Sequence, residues 1–343
     1  MALDVFGARA AHPVLGTADR LTPARAQALL FSRDDLIQAG HTERGLRAPV
    51  AENRLIRVRR GRYVHADDWA VLWNDERHLL DVIAAHRNSS SPGLVFWGPS
   101  AAVLHGLPLY RWRPLHVHAV VSGARHTRAR ARLMLHDVTV GPADVTDVDG
   151  IRCTVIDRTV LDLLCGASAE VGLSAADAAL RAEAVQRHGQ NPERAQAWRA
   201  RMNDRSSRTH VRGIRAAREL IDFADGRAQL PGESVSRLQL LRLGYRRVPL
   251  QTPVHGPDGE EFWLDFAFPR SRAFGEFDGQ GKYRDPRLRG GRHIEDVVLA
   301  EKHREDIVRG VTGWRTVRWS TPHIRTADAL GARLHAFGIR PPT

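Results

Sequence analysis

The chain has 343 residues, 43% hydrophobic and 26% charged, with 51 Lys plus Arg against 39 Asp plus Glu, for a net charge of +12. That length carries two or three domains with ample buried core, no run has the apolar length of a bilayer span, and the N-terminus lacks the basic head and apolar stretch of a secretory signal. Cys153 and Cys165 make neither a disulfide framework nor a zinc site, so the cytoplasm is the expected compartment, with no membrane partner and no oligomeric state implied; the basic surplus favours a polyanionic partner, most often nucleic acid.

Residues 1 to 20 read as a loose leader. From residue 22 the pattern changes, with Thr22 as N-cap and Pro23 at the first helical position. A second short helix runs over 32–39 to Gly40, and a third opens near Thr42. Leu55 to Val64 then alternates apolar and basic residues around Gly61, the pattern of a β-hairpin with a basic face. Three short helices and a hairpin predict a winged helix over 20–68, a helix-turn-helix variant that docks a helix in the major groove. Its cluster Arg57, Arg59, Arg60 and Arg62 points to phosphate contact; the same fold also serves protein contacts.

Residues 69–185 read as a mixed α/β domain. The spacing predicts a helix over 79–86 and strands over 94–97 and 115–121. Between Gly123 and Leu133 come Arg125, Arg128, Arg130 and Arg132, suited either to a solvated loop or to an edge strand lying along phosphates. Arg158 and Asp162, four apart on a helix, read as a structural pair. Residues 186–230 predict a helical connector without a sustained apolar face, ending in a loop at residues 224–232.

Three segments of this part resemble AbiEi-type antitoxins of abortive-infection toxin–antitoxin systems: the wing Arg59-Arg60-Gly61-Arg62-Tyr63-Val64, the run Ser100-Ala101-Ala102-Val103-Leu104-His105-Gly106-Leu107-Pro108, and the run from Asp149-Gly150-Ile151-Arg152 to Arg158-Thr159 and Asp162. The resemblance spans roughly residues 20 to 185. It implies a DNA-binding repressor or antitoxin, with a cognate toxin as a partner.

The remaining stretch, 231–340, gathers the acids. Glu233 opens an amphipathic helix, a strand over 247–251 and a turn at 255–259 follow, and Phe262, Leu264, Phe266 and Phe268 fall on one face of a strand with Asp265 opposite. On the next strand Glu276 and Asp278 share a face, before a helix over 294–308, a strand over 316–319 and a last helix over 322–337. Acids on neighbouring strands suit a hard cation such as Mg²⁺, which activates water, while a lysine offsets charge on the phosphorane. Lys282 and Lys302 are the only lysines among the 51 basic residues; a drift from lysine to arginine leaves lysine where a compact charge able to release a proton is required. Pairing of these acids with Arg284, Arg287 or Arg292 is the structural alternative.

This α-β-β-β-α-β order resembles the PD-(D/E)xK nuclease fold, in particular its Vsr-like branch. The resemblance implies Glu233 as the helix acid, Asp265 and Glu276 as metal acids with Asp278 beside them, and Mg²⁺ or Mn²⁺ as cofactor. Asp278 stands where that family has its lysine, so Lys282 or Lys302 is expected to supply the charge. The whole predicts an α/β multidomain protein: a winged helix, a mixed middle domain and a restriction-endonuclease-like domain. The function expected is metal-dependent hydrolysis of duplex DNA in phage defence, toxin–antitoxin action or DNA repair. Two other readings stand beside it: a non-catalytic regulator or antitoxin with a degenerate nuclease domain, and an RNA-directed factor.

Overall fold

The computed structural model describes residues 20–40, 42, 50, 52, 54–89, 94–121, 128–130, 132–279 and 294–341. Lys282, Arg125, the leader and most of the third expected helix lie outside them. The chain is a mixed α/β protein that divides into two compact units, Met1–Asp162 and Leu163–Thr343, with four sheets among the described residues. No helix there is long and apolar enough to cross a membrane.

The first unit opens with α1 (Pro23–Leu29), β1 (Phe31–Ser32) and α2 (Arg33–Gln38). Thr22 caps α1 by accepting from Arg25 N–H at 3.3 Å, and Ser32 and Asp35 form a reciprocal capping box on α2. β2 (Leu55–Arg59) and β3 (Arg62–His65) make the expected hairpin, turning at Gly61 with φ +70°. Together with β1 they form a sheet in the order β1-β3-β2.

Next come α3 (Ala66–Val71), α4 (Asn74–Arg87), β4 (Leu94–Phe96), α5 (Pro99–Leu104), β5 (Val117–Val121), β6 (Arg128–Arg130), β7 (Leu133–His136), β8 (Val145–Val148), β9 (Ile151–Thr154) and α6 (Ile156–Gly166). The six strands form one mixed sheet, β6-β7-β5-β4-β9-β8, and α4 buries Leu79, Leu80, Val82 and Ile83. The Arg158–Asp162 pair is present, with both carboxylate oxygens 3.0 Å from Nε, and Asp144 joins it at 3.0 Å.

In the second unit, α7 (Ala169–Ala184), the hairpin β10 (Val185–Gln186) and β11 (Gly189–Gln190), α8 (Pro192–Ser207) and α9 (Ile214–Phe223) precede α10 (Pro231–Arg242). The stretch expected as a connector folds into this unit. Trp198 and Met202 of α8 are fully buried, and Asp177 of α7 forms a buried 2.5 Å ion pair with Arg237 of α10. The Asp177–Arg237 pair lies outside residues 186–230; that stretch is held by Ala195, Trp198 and Met202 of α8 and by the apolar face Ala217, Leu220 and Ile221 of α9, all buried.

The sheet that follows is β12 (Leu250–His255), β13 (Glu261–Phe268), β14 (Ala273–Phe277) and β15 (Arg315–Trp319), in that order, with α11 (Ile294–Thr312) and α12 (Ala327–Ala336) completing the chain. β12, β13 and β14 are antiparallel neighbours, and β15 returns parallel to β14. As the alternation predicts, Leu264, Phe266 and Phe268 are buried. The Trp319 ring lies 5.1 Å from Phe266, and its indole N–H donates to Ser236 Oγ of α10 at 2.8 Å.

Gly275 lets this packing close around β14. A Cβ there would stand 2.3 Å from the Trp319 ring and 3.0 Å from Phe268. Gly275→Ala should therefore cost at least about 2 kcal/mol as an overpacked core site, read as a lower urea midpoint at unchanged slope; an unchanged midpoint would show that the indole moves aside freely.

Candidate functional site

Strand register assembles the acids. β13 alternates, so Trp263 and Asp265 project to the same side two residues apart. The last antiparallel partners of β13 and β14 include Phe266 and Gly275, so continuing the register by one residue brings Asp265 opposite Glu276. Asp265 Oδ2 accepts the Phe277 N–H at 3.0 Å. On the parallel side Glu276 is the register partner of Arg318.

These residues line a cavity of about 290 Å³ that also takes in His188, Gln229, Gln251, Phe277, Asp278, Glu301 and Arg304. Its ionic part is shared between two arginines. Glu276 Oε1 is 2.6 Å from Arg304 Nη2, and Oε2 is 3.2 Å from Arg318 Nη2. Glu301 binds the same Arg304 nitrogen at 2.5 Å and also binds Arg318 Nη2, while Glu305 Oε2 lies 3.5 Å from Arg318. Burial opposes charge on Arg304 and Arg318, but the carboxylates outweigh it and raise both guanidinium pKa values. Burial works against the Glu301 carboxylate too; hydrogen bonds from Arg304 and Arg318 prevail and lower its pKa. Asp278 lines the cavity with no ion-pair partner among the described residues.

A second, uncharged chain supports Asp265. Gln251 Nε2 donates to Asp265 Oδ1 at 3.3 Å, and Gln251 Oε1 accepts from Gln229 Nε2 at 2.9 Å. His188 Nδ1 stands 3.2 Å from Gln251 Oε1 and 3.1 Å from Gln229 Nε2; its tautomer decides which bond forms. Gln251 is buried and left-handed at φ +47°, a conformation that costs a non-glycine residue about 1–3 kcal/mol and gathers at functional sites.

The expected site residues divide. Asp265, Glu276 and Asp278 come together in the cavity. Glu233 is buried and accepts the Gln229 N–H at 2.8 Å without lining it. Lys302 is exposed and does not line it. Glu301, Arg304, Glu305 and the buried Val308 share one stripe of α11, and Lys302 is off that stripe by helical phase. Among the described residues the cations that line the cavity are Arg304 and Arg318, which the expectation of a lysine does not name. The one local signal was the three-residue spacing of Glu301 and Arg304. Nothing local marks Arg318, which reaches Glu276 only through the parallel register.

The basic residues of the first unit divide as well. Arg59 is tied to Asp81 Oδ1 at 2.6 Å and to the Arg132 carbonyl at 2.8 Å, and Arg132 binds the other Asp81 oxygen at 2.8 Å. Arg62 donates to Asn88 Oδ1 at 2.9 Å and the Arg87 carbonyl at 3.1 Å. Arg57 and Arg60 are exposed. Arg128 and Arg130 belong to β6, an end strand of its sheet.

No family model matches the chain. Over 67 residues it is 48% identical to two uncharacterized proteins of Mycobacterium tuberculosis, MT2308 of strain CDC 1551 / Oshkosh and Rv2248 of strain ATCC 25618 / H37Rv. The match covers 20% of this chain and 25% of each relative, so the chain spans about a quarter of the length of these relatives.

Removing the Arg304 guanidinium leaves Glu276 buried with one counter-ion fewer. Arg304→Met should cost about 1–3 kcal/mol, the range for a hydrogen bond to a charged group, kept low because Arg304 is partly exposed. Lys302→Met should leave the urea midpoint unchanged. Equal midpoints for Arg304→Met and wild type would remove the arginine network from the forces holding β14 to α11.

Proposed function

We propose that this protein binds DNA and that its second unit hydrolyses phosphodiester bonds with the help of a divalent cation. The observation that carries the reading is the cavity's lining: among the described residues it gathers four carboxylates, Asp265, Glu276, Asp278 and Glu301, beside two arginines, Arg304 and Arg318. Carboxylate oxygens suit Mg²⁺ or Mn²⁺. Asp265, Glu276 and Asp278 would hold such an ion. The spacing sets a condition. Among the described residues no group of three or more His, Cys, Asp or Glu is gathered to hold a metal, and both Glu276 oxygens lie on guanidinium nitrogens. Glu276 must therefore let go of Arg304 and Arg318, which keep Glu301 and Glu305 as partners.

When bound, the ion polarises the phosphodiester and lowers the pKa of an attacking water. The chain's own residues do the remaining work. Gln251 and the Phe277 N–H fix the Asp265 carboxylate. Arg304 and Arg318, released from Glu276, present N–H donors to the negative charge that builds on the phosphate, and Glu301 keeps them from swinging away.

The protein should nick or linearise plasmid with Mg²⁺ or Mn²⁺ and not with chelator. Asp265→Asn and Glu276→Gln should lose that activity by 100-fold or more, on the order expected for loss of a transition-state contact. Lys302→Ala should retain it. Wild type leaving plasmid, linear duplex and single strands intact with either ion would sink the reading.

The double arginine hold on Glu276 favours a second reading. In it the second unit is a closed scaffold, and the protein is an AbiEi-like DNA-binding regulator or antitoxin with a cognate toxin. The β1-β3-β2 sheet with α1 and α2 is compatible with a winged helix. Arg57 and Arg60 are then the phosphate contacts, because Arg59 and Arg62 serve the fold. Arg57→Ala with Arg60→Ala should weaken binding to the protein's own upstream DNA about equally across sequences and lower the salt slope by about two. An unchanged salt slope would remove the wing from DNA contact.

A further inference from the structure

Beside the acid cavity lies a second cavity of about 370 Å³. The two share His188, Gln251 and Trp263, and the second adds Arg199 and Arg227, with no Asp or Glu among the described residues of its lining. We infer that it is a nucleotide subsite, where Arg199 and Arg227 take a phosphate of the strand and the stacked His188–Trp263 pair takes its base. This rests on the nuclease reading for its place in the reaction, since the subsite would seat the nucleotide next to the bond presented to Asp265 and Glu276.

Three observations carry it. The first is charge. Two arginines lining one cavity beside the carboxylates of the next suit a polyanion whose phosphate is to be held next to a cation site, although Asp225 shares Arg227. The second is spare donor capacity. Arg199 gives Nη2 to the Ala224 carbonyl at 2.6 Å, while its Nε is buried with no hydrogen-bond partner. That N–H is closed off from the cavity, so an anion would meet the outer guanidinium nitrogens, and its charge offsets the cost of the unpaired N–H beside them. Among the described residues Arg227 is paired with Asp225 two residues away, through Nε and Nη2, and its side chain is partly open to a ligand.

The third is the aromatic platform. The His188 and Trp263 rings stack at 4.4 Å with planes 8° apart. His188 sits on the tight β10–β11 turn beside Arg187, at φ +56°, and its Nδ1 is engaged by Gln229 or Gln251. The imidazole is thus held edge-on by hydrogen bonds and presents a flat face, as sequence-tolerant base stacking requires. The same hydrogen bonds lead through Gln251 to Asp265, so a base seated on His188 would be registered against the acid cavity.

The test uses the full chain, chelator and low salt, with the 5′-phosphorylated dinucleotide of deoxyadenosine as probe, titrated calorimetrically. Wild type should bind it, and Arg227→Gln, Arg199→Gln and Trp263→Leu should each weaken it about tenfold or more. Arg227 is exposed enough that its variant should fold, which thermal melting checks. Lys302→Ala, at a residue that lines neither cavity, should bind the probe as wild type does. Wild-type affinity in both the Arg227 and Trp263 variants, or binding of inorganic phosphate as tight as that of the dinucleotide, would overturn the subsite. The nuclease reading fails separately: dinucleotide binding lost in these variants, together with no cleavage by wild type, keeps the subsite and sinks only the chemistry.

Discussion

Two guanidinium groups shared among three carboxylates govern the second unit. Arg304 and Arg318 each bridge Glu276 of β14 to Glu301 of α11. These contacts tie α11 to β14, with Lys302 exposed and off the bridging stripe. A buried carboxylate between strands would be prohibitively costly alone, and the paired guanidiniums remove that cost. The network also has redundancy. Each arginine has a partner besides Glu276, so Glu276 can change partners without stranding a buried positive charge.

Arginine does two kinds of work in this chain, and only geometry separates them. Arg59 and Arg132 neutralise the buried Asp81, Arg237 neutralises the buried Asp177, and Arg158 binds Asp162 and Asp144. Arg57 and Arg60 remain on the surface. The planar fork of arginine satisfies a carboxylate and a carbonyl together, which suits it to internal ties in a protein with so little lysine. Each such pair adds nothing to the net charge, so the surplus of +12 is carried by basic residues outside these pairs.

The helical stretch ahead of α10 changes the meaning of the acid cavity. Anchored by Asp177 to Arg237, it brings the β10–β11 turn to β13, so His188 stacks on Trp263 and both line the space next to Asp265. The cavity is thus built from distant parts of the chain, as the His188 to Gln251 contact shows across 63 residues.

Local pattern alone determined much. The caps at Thr22 and Ser32, the hairpin at Gly61, the alternation of β13 and the order of elements from α10 to α12 all follow from short-range sterics and hydrogen bonding, which neighbouring residues encode. It also put Asp265 and Glu276 on adjacent strands. Tertiary structure decided which charges meet. The resemblance expects Lys282 or Lys302 as the cation; Lys282 lies outside the described residues, the phase of α11 turns Lys302 out, and the parallel pairing of β14 with β15 delivers Arg318. Register between distant strands and the choice of ion-pair partner depend on through-space distance, and a list of residues does not contain it.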